Sequence, residues 1–231
     1  MDIRLILKSL PALLHGMVLT LNITSVSVLC GLLLAVILAL MRVSKNPFFW
    51  MPSYGFIFYF RGTPLLVQLF LIYYGSGQFR NMLSTVGLWT FFRQAYFCGV
   101  LTLTLNTAAY TAEILRGAIL AVPFGEIEAG MACGMSKVLL YRRIILPKAF
   151  RLGWQAYTNE VVFLLQATSL VSLITLLDIT GVARVIAART FAFYELFLTA
   201  AALYLCLVYG LLFLFRKIEQ RLLSHLEPIR T

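Results

Sequence analysis

A chain of 231 residues that is 61% hydrophobic and only 12% charged cannot be an ordinary soluble domain, since these run about 45–50% apolar and about 25% charged. The composition places it among polytopic membrane proteins. The net charge of +10 does not point to nucleic acid, because no soluble basic domain is present to carry it and cytoplasmic loops hold an excess of Lys and Arg anyway.

In chain order, residues 1–16 read as a mixed surface segment leading into the membrane. The charge-free stretch from Ser9 to Met41 is too long for the roughly 7–15-residue core of a cleavable signal. It reads as retained, with a first span over 17–41, more than the roughly 20 residues that cross a bilayer. Arg42, Lys45 and Pro47 close it. The second span, 50–75, is interrupted by Arg61-Gly62-Thr63-Pro64. A buried arginine is costly unless it reaches water or a partner, and the Gly and Pro beside it predict a bent or broken helix. Gly75-Ser76-Gly77 ends that span, and 81–93 is a loop with some helical character.

The third span, 94–121, is polar on one side through Thr102, Thr104, Asn106, Thr107, Tyr110 and Thr111. It also carries Glu113 and Arg116, whose i, i+3 spacing lets them pair on one face. A polar loop over 122–151 follows, then a fourth span over 153–177 interrupted by Asn159-Glu160. The segment 178–195 reads as a second loop with helical potential, in which Asp178 is a solvated or capping residue. The fifth span is 196–215, followed by Arg216, Lys217 and Arg221. The expected fold is all-α: a single transmembrane domain of about five helices. The aromatic residues between Phe48 and Tyr74 read as a lipid-facing and interfacial belt.

Lys and Arg are denser in the 42–47 turn, the 122–151 loop and the C-terminal tail than in the other three connecting or terminal segments. The richer side is expected to be cytoplasmic, which puts the N-terminus outside and the C-terminus inside. Cys30, Cys98, Cys133 and Cys206 form no CxxC or Cys/His pairing, so they read as small packing residues and no metal site is expected. His15 and His225 lie near opposite ends of the chain. There is no GxxxxGK[ST] phosphate loop and no GxSxG nucleophile with partners. No catalytic residues are expected, and any energy for transport must come from another subunit.

The polar loop carries an ordered pattern: Glu128-Ala129-Gly130, then Gly134, then Ile144-Ile145-Leu146-Pro147. Small residues at 129 and 130 would let a helix lie close to another surface. Gly134 would permit a turn between two short helices, and Pro147 suits the first turn of the next segment. The pattern resembles the EAA loop of ABC-importer permeases, EAA-x3-G-x9-I-x-L-P, with Gly130 in place of the second alanine.

A second set of runs narrows the resemblance. Phe60 to Gln68, Tyr73-Tyr74-Gly75, Leu105 to Glu113, Asn159-Glu160-Val161 and Thr168-Ser169-Leu170 resemble permeases of polar and basic (histidine/arginine) amino-acid importers. The RGTPLLVQLFLIYYGSGQF run is especially similar to M-type permease subunits of arginine importers.

This resemblance implies a type I ABC-importer transmembrane domain in the bacterial inner membrane. Its Glu128, Ala129, Gly130, Gly134, Ile144, Leu146 and Pro147 would couple to the ATPase. It implies a second homologous permease subunit, two copies of a cytoplasmic ATPase that hold ATP and Mg, and a periplasmic amino-acid-binding protein. No cofactor is expected on this chain.

The pathway candidates are Glu160, Asn159, Thr168, Ser169, Arg61, Thr63 and Gln68. Glu160 is a carboxylate inside a span and so a functional candidate. With a helical span, Glu160, Leu164, Ala167 and Thr168 share a face. Asn159 could orient Glu160, and Thr168 and Ser169 could meet a substrate carboxylate. A pair between Glu160 and Arg61 is the structural alternative. The family often has Lys-Asp before Thr-Ser where this chain has Gln166-Ala167, so a side-chain ligand would be missing here. Other readings are a permease for glutamine or an opine, or a stand-alone proton-coupled carrier using Glu113 and Glu160.

Overall fold

The computed structural model describes residues 3–223, and those residues contain helices and no strands. The end of the expected tail, including His225, lies outside the described residues. Helix α1 runs unbroken over Ile3–Val43. The expected surface segment is therefore the first third of the first span's own helix, with Pro11 inside it. At 41 residues the helix is about 62 Å long, roughly twice the hydrocarbon core, so one end must extend beyond the bilayer or the helix must tilt strongly.

Asn46 caps α2 (Pro47–Gly62) by accepting from the Phe48 amide. The chain then breaks at Thr63-Pro64 and resumes as α3 (Leu65–Tyr73), with short α4 (Gly75–Gln78), α5 (Arg80–Thr85) and α6 (Trp89–Phe92) after it. The two halves of the second span meet at 105°, a sharper break than a kink. The cause is local: Pro64 cannot donate a backbone hydrogen bond and pushes Thr63 to an extended conformation.

Among the described residues, three helices are long and apolar enough to cross a membrane alone: Ile3–Val43, Lys137–Ile174 and Phe193–Arg221. The bent pair makes a fourth if it is one span. The expected third span is α7 (Ala95–Leu120). Its 26 residues reach about 39 Å, long enough to cross. Its low apolarity reflects its position, because α1, α2, α3 and α10 surround it and its threonines face protein rather than lipid.

Small residues set the α1–α7 contact. Ala35, Ala39, Ala108, Ala109 and Ala112 form one buried cluster, and Gly31 lies against Thr107. Such stripes let membrane helices approach closely where no hydrophobic driving force separates protein from lipid. Of the cysteines, only Cys98 is buried; Cys30, Cys133 and Cys206 are exposed, so the packing role holds for one of the four.

The expected 178–195 loop is a helix, α11 (Ile179–Thr190), leading into α12 (Phe193–Leu223). Asp178 is fully buried rather than solvated. It caps α11 by accepting from the Gly181 amide at 2.9 Å and the Thr180 amide at 3.3 Å, and it accepts from the Tyr204 hydroxyl at 2.9 Å. Gly16 of α1 packs on the same corner: a Cβ there would lie 2.9 Å from the Asp178 carbonyl carbon and oxygen. Gly16→Val is therefore expected to push α11 off α1 and cost about 1–3 kcal/mol. A lowered thermal unfolding midpoint in detergent is the readout; an unchanged midpoint would mean the corner is loosely packed.

Candidate functional site

The break in the second span opens a cavity of ≈ 560 Å³ between α2, α3, α7 and α10 (Leu146–Ala167). Arg61, Thr63, Asn106, Tyr110, Glu160 and Ala167 are among its lining residues. Its size falls in the range of small-molecule sites, roughly 300–1,000 Å³.

Glu160 is half-buried and accepts a hydrogen bond from the Thr107 hydroxyl at 3.1 Å. No described cation lies within ion-pair distance of it, although the Arg61 charge acts on it from across the cavity. Arg61 lines the same cavity, but its guanidinium stacks over the Tyr110 ring at 5.2 Å. The cavity therefore presents one unpaired carboxylate and one guanidinium without an ion pair. Arg61 offsets the charge of the half-buried Glu160 only from beyond ion-pair distance, so the arrangement suits a ligand that brings a cation to Glu160 and an anion to Arg61.

Asn159 is exposed and does not line the cavity; Thr107 on α7, rather than Asn159, positions the Glu160 carboxylate. Thr168 and Ser169 also lie off it. The helix tightens to a 3-10 turn over Thr168–Ile174, which ends the regular α-helical spacing that would place Thr168 below Glu160. Thr168 is fully buried and donates to the Leu165 carbonyl at 2.7 Å. Ala167 does line the cavity and brings no polar group to it.

Gln68 holds the break together instead of facing the cavity. It is 2% exposed. Its Nε2 donates to the Phe60 carbonyl at 2.8 Å and meets the Thr63 carbonyl and hydroxyl at 3.0 and 2.8 Å; its Oε1 accepts from Asn106 at 3.0 Å. These bonds satisfy carbonyls that the broken helix leaves free. Gln68→Leu would take the donor from the Thr63 carbonyl and leave the Phe60 carbonyl and the Asn106 amide with only the 3.4 Å bond between them, at about 1–3 kcal/mol per unsatisfied group. Uptake of every substrate is expected to fall by a similar factor; a loss confined to cationic substrates would place Gln68 on the pathway after all.

Asn106 and Tyr110 were legible only as part of a polar stripe. Their i, i+4 spacing on that stripe was the available signal. Arg61 and Tyr110 also line a second cavity of ≈ 340 Å³, with Arg42, Tyr54 and Glu113. Here Glu113 is paired as its spacing predicts, with Arg116 at 2.8 Å, and Arg42 approaches its other oxygen at 3.5 Å. Arg42 also stacks over Tyr54 at 4.7 Å, so the aromatic belt does make cation–π contacts.

The polar loop is a helix–turn–helix. Helix α8 (Phe124–Ala132) ends in a turn at Gly134, whose φ is +76°. Ser136 then caps α9 (Lys137–Leu140), accepting from the Leu139 amide. The left-handed φ is one that glycine adopts without steric cost.

One residue acts differently from the sequence expectation. Gly130 is buried, and a Cβ there would sit 2.6 Å from the Leu140 side chain and 3.0 Å from that of Ile144. Its small size closes the loop on itself rather than on an outside surface. The helical path runs on over Lys137–Ile174, and within it Pro147 stands in the first turn of α10, as expected. A π turn at Tyr141–Ile145, with the Leu146 amide bonding to the Tyr141 carbonyl, sits just before it. That turn accommodates a proline that has no amide proton to give.

Ile144 and Leu146 are half-buried beside the cluster of Leu140, Ile145 and Ala149. Lys148 is ion-paired with Glu126 and ties α8 to α10. Glu128, Ala129, Met131 and Val138 remain exposed, a ready surface for another protein.

A family model described as binding-protein-dependent transport system inner membrane component matches residues 31–224. The nopaline transport system permease protein NocM of Agrobacterium fabrum is 49% identical over 209 residues, covering 90% of this chain and 87% of the relative. The histidine/lysine/arginine/ornithine transport system permease protein HisM of Escherichia coli is 45% identical over 216 residues, covering 94% of this chain and 91% of the relative. In structure, the chain is similar to an amino acid ABC transporter crystallised with histidines, at a TM-score of 0.85 and 32% identity, over 96% of this chain and 99% of that one. The inward-facing methionine transporter MetNI shares the fold at a TM-score of 0.75, covering 91% of this chain and 96% of that one, with 21% identity.

Proposed function

The chain belongs to the family of binding-protein-dependent transport system inner membrane components, and from that premise we propose what it carries and how. It is a permease subunit of an amino-acid ABC importer, in which a separate ATPase subunit hydrolyses ATP and a substrate-binding protein presents the cargo.

The cargo we propose is a basic L-amino acid: arginine, or histidine, lysine or ornithine. The observation that carries this reading is the unpaired Glu160 carboxylate in a cavity it shares with Arg61. Glu160 would take the cationic side chain and Arg61 the carboxylate of a zwitterion, with Asn106 and Tyr110 as further polar groups. Thr63 also lines the cavity, whereas Asn159, Thr168 and Ser169 do not. HisM relatives support a basic cargo, and the similarly related NocM supports an opine as the alternative.

In the assembled importer this chain would pair with a second homologous permease, above two copies of the ATPase. Exposed Glu128, Ala129 and their neighbours would seat in the ATPase, while Gly130, Gly134, Ile144, Leu146 and Pro147 would shape the seat. The density of Lys and Arg in the 122–151 loop supports a cytoplasmic position for that loop and the C-terminus, with the N-terminus outside. ATP and Mg would sit on the ATPase, and this chain would bind no cofactor.

The test is uptake by the reconstituted importer from a panel of arginine, histidine, lysine, ornithine, nopaline and glutamine. Preference for the four basic amino acids is expected. Preference for nopaline would select the opine reading, and preference for glutamine would remove the role assigned to Glu160.

A further inference from the structure

Two cavities meet beside the π turn, away from the Glu160 site. One is an apolar crevice of ≈ 150 Å³ between α1, α7 and α10, lined by residues that include Val36, Leu40, Ile119, Leu146 and Phe150. The other, of ≈ 320 Å³, is lined by Lys137, Tyr141 and Arg142 together with Leu40 and Leu146. Because Leu40 and Leu146 line both, they form one groove, apolar at one end and basic at the other.

Lys137 and Arg142 are exposed, and neither has an ion-pair partner among the described residues. The apolar end lies against α1 and α10, two of the helices long and apolar enough to cross a membrane. A groove that starts between two helices of membrane-crossing length and ends in two cations and a phenol has the polarity of a phospholipid.

We propose that this groove binds an anionic phospholipid. One acyl segment lies in the crevice, and the headgroup phosphate meets Lys137, Arg142 and the Tyr141 hydroxyl. Charge complementarity selects an anionic headgroup over a zwitterionic one, since basic clusters at the membrane surface attract acidic lipids. The occupant bridges α1 to the π turn that joins the coupling helices to α10. The lipid thereby becomes part of the path by which movement of α8 and α9 reaches the spans. This inference rests on the membrane placement of the helices and not on the cargo.

Native mass spectrometry of the assembled importer, purified from vesicles of equal phosphatidylglycerol and phosphatidylcholine, tests it directly. Preferential retention of phosphatidylglycerol is expected. The double variant Lys137→Gln/Arg142→Gln is expected to weaken retention roughly thirtyfold, and Arg143→Gln, which lines a different cavity, is expected to leave it unchanged. Val36→Phe, which fills the crevice and keeps both charges, is expected to lose the lipid as well. Equal retention of both lipids, or unchanged retention in the double variant, would overturn the proposal. So would retention by the isolated permease but not by the assembled importer, which would assign Lys137 and Arg142 to the ATPase contact.

Discussion

Glu160→Gln is expected to lower uptake of arginine or histidine about 10- to 100-fold at limiting substrate, because a hydrogen bond to a charged group is worth about 1.5–3 kcal/mol. Uptake of a neutral polar amino acid should fall less than about threefold, since the glutamine still accepts a hydrogen bond from Thr107 and removes only the charge. The comparison is informative because Glu160 has no ion-pair partner among the described residues. A structural carboxylate would destabilise the protein for every cargo alike. Equal losses for cationic and neutral substrates, with a lowered unfolding midpoint, would return Glu160 to a structural role.

Gly134→Val is expected to separate ATP hydrolysis from transport. The residue's φ of +76° costs a residue with a Cβ about 1–2 kcal/mol, and β-branching adds to that. Space is not the obstacle, because nothing lies within 4 Å of a Cβ at this position. The chain can relieve the strain by reorienting α8 against α9, which would misplace exposed Glu128 and Ala129. Uptake is expected to fall about tenfold or more, while the ATPase keeps its basal hydrolysis. Gly134→Asn should retain most uptake, since asparagine tolerates the left-handed region. If valine and asparagine behave alike, the turn's conformation is not what couples the two activities.

The sequence revealed the parts of this molecule that depend on short-range chemistry. Arg61-Gly62-Thr63-Pro64 predicted a break because proline lacks an amide and restricts its neighbour, and the second span does break there, by 105°. Glu113 and Arg116 pair as their spacing implies, and the turn at Gly134 has the φ that only glycine adopts freely.

Long-range effects were less legible. That Thr107 on α7 would hold Glu160 on α10 depends on how two helices pack, and no local pattern encodes it. Gln68 looked like a pathway residue because it is polar within an apolar run. Its role as the clasp of the break appears only once Phe60, Thr63 and Asn106 converge on it. Thr168 was expected on the Glu160 face by α-helical spacing, and the 3-10 turn that begins there removes that spacing. Pro147 does stand in the first turn of α10, but the π turn that joins that helix to α9 had no local signal.

Uptake of labelled arginine into proteoliposomes, with and without ATP inside, tests the importer reading most directly. One preparation holds this chain alone; the other holds it with its ATPase, second permease and binding protein. Uptake is expected only in the full assembly and only with ATP. ATP-independent arginine uptake by this chain alone would contradict it and favour a carrier that uses Glu113 and Glu160 as its own relay.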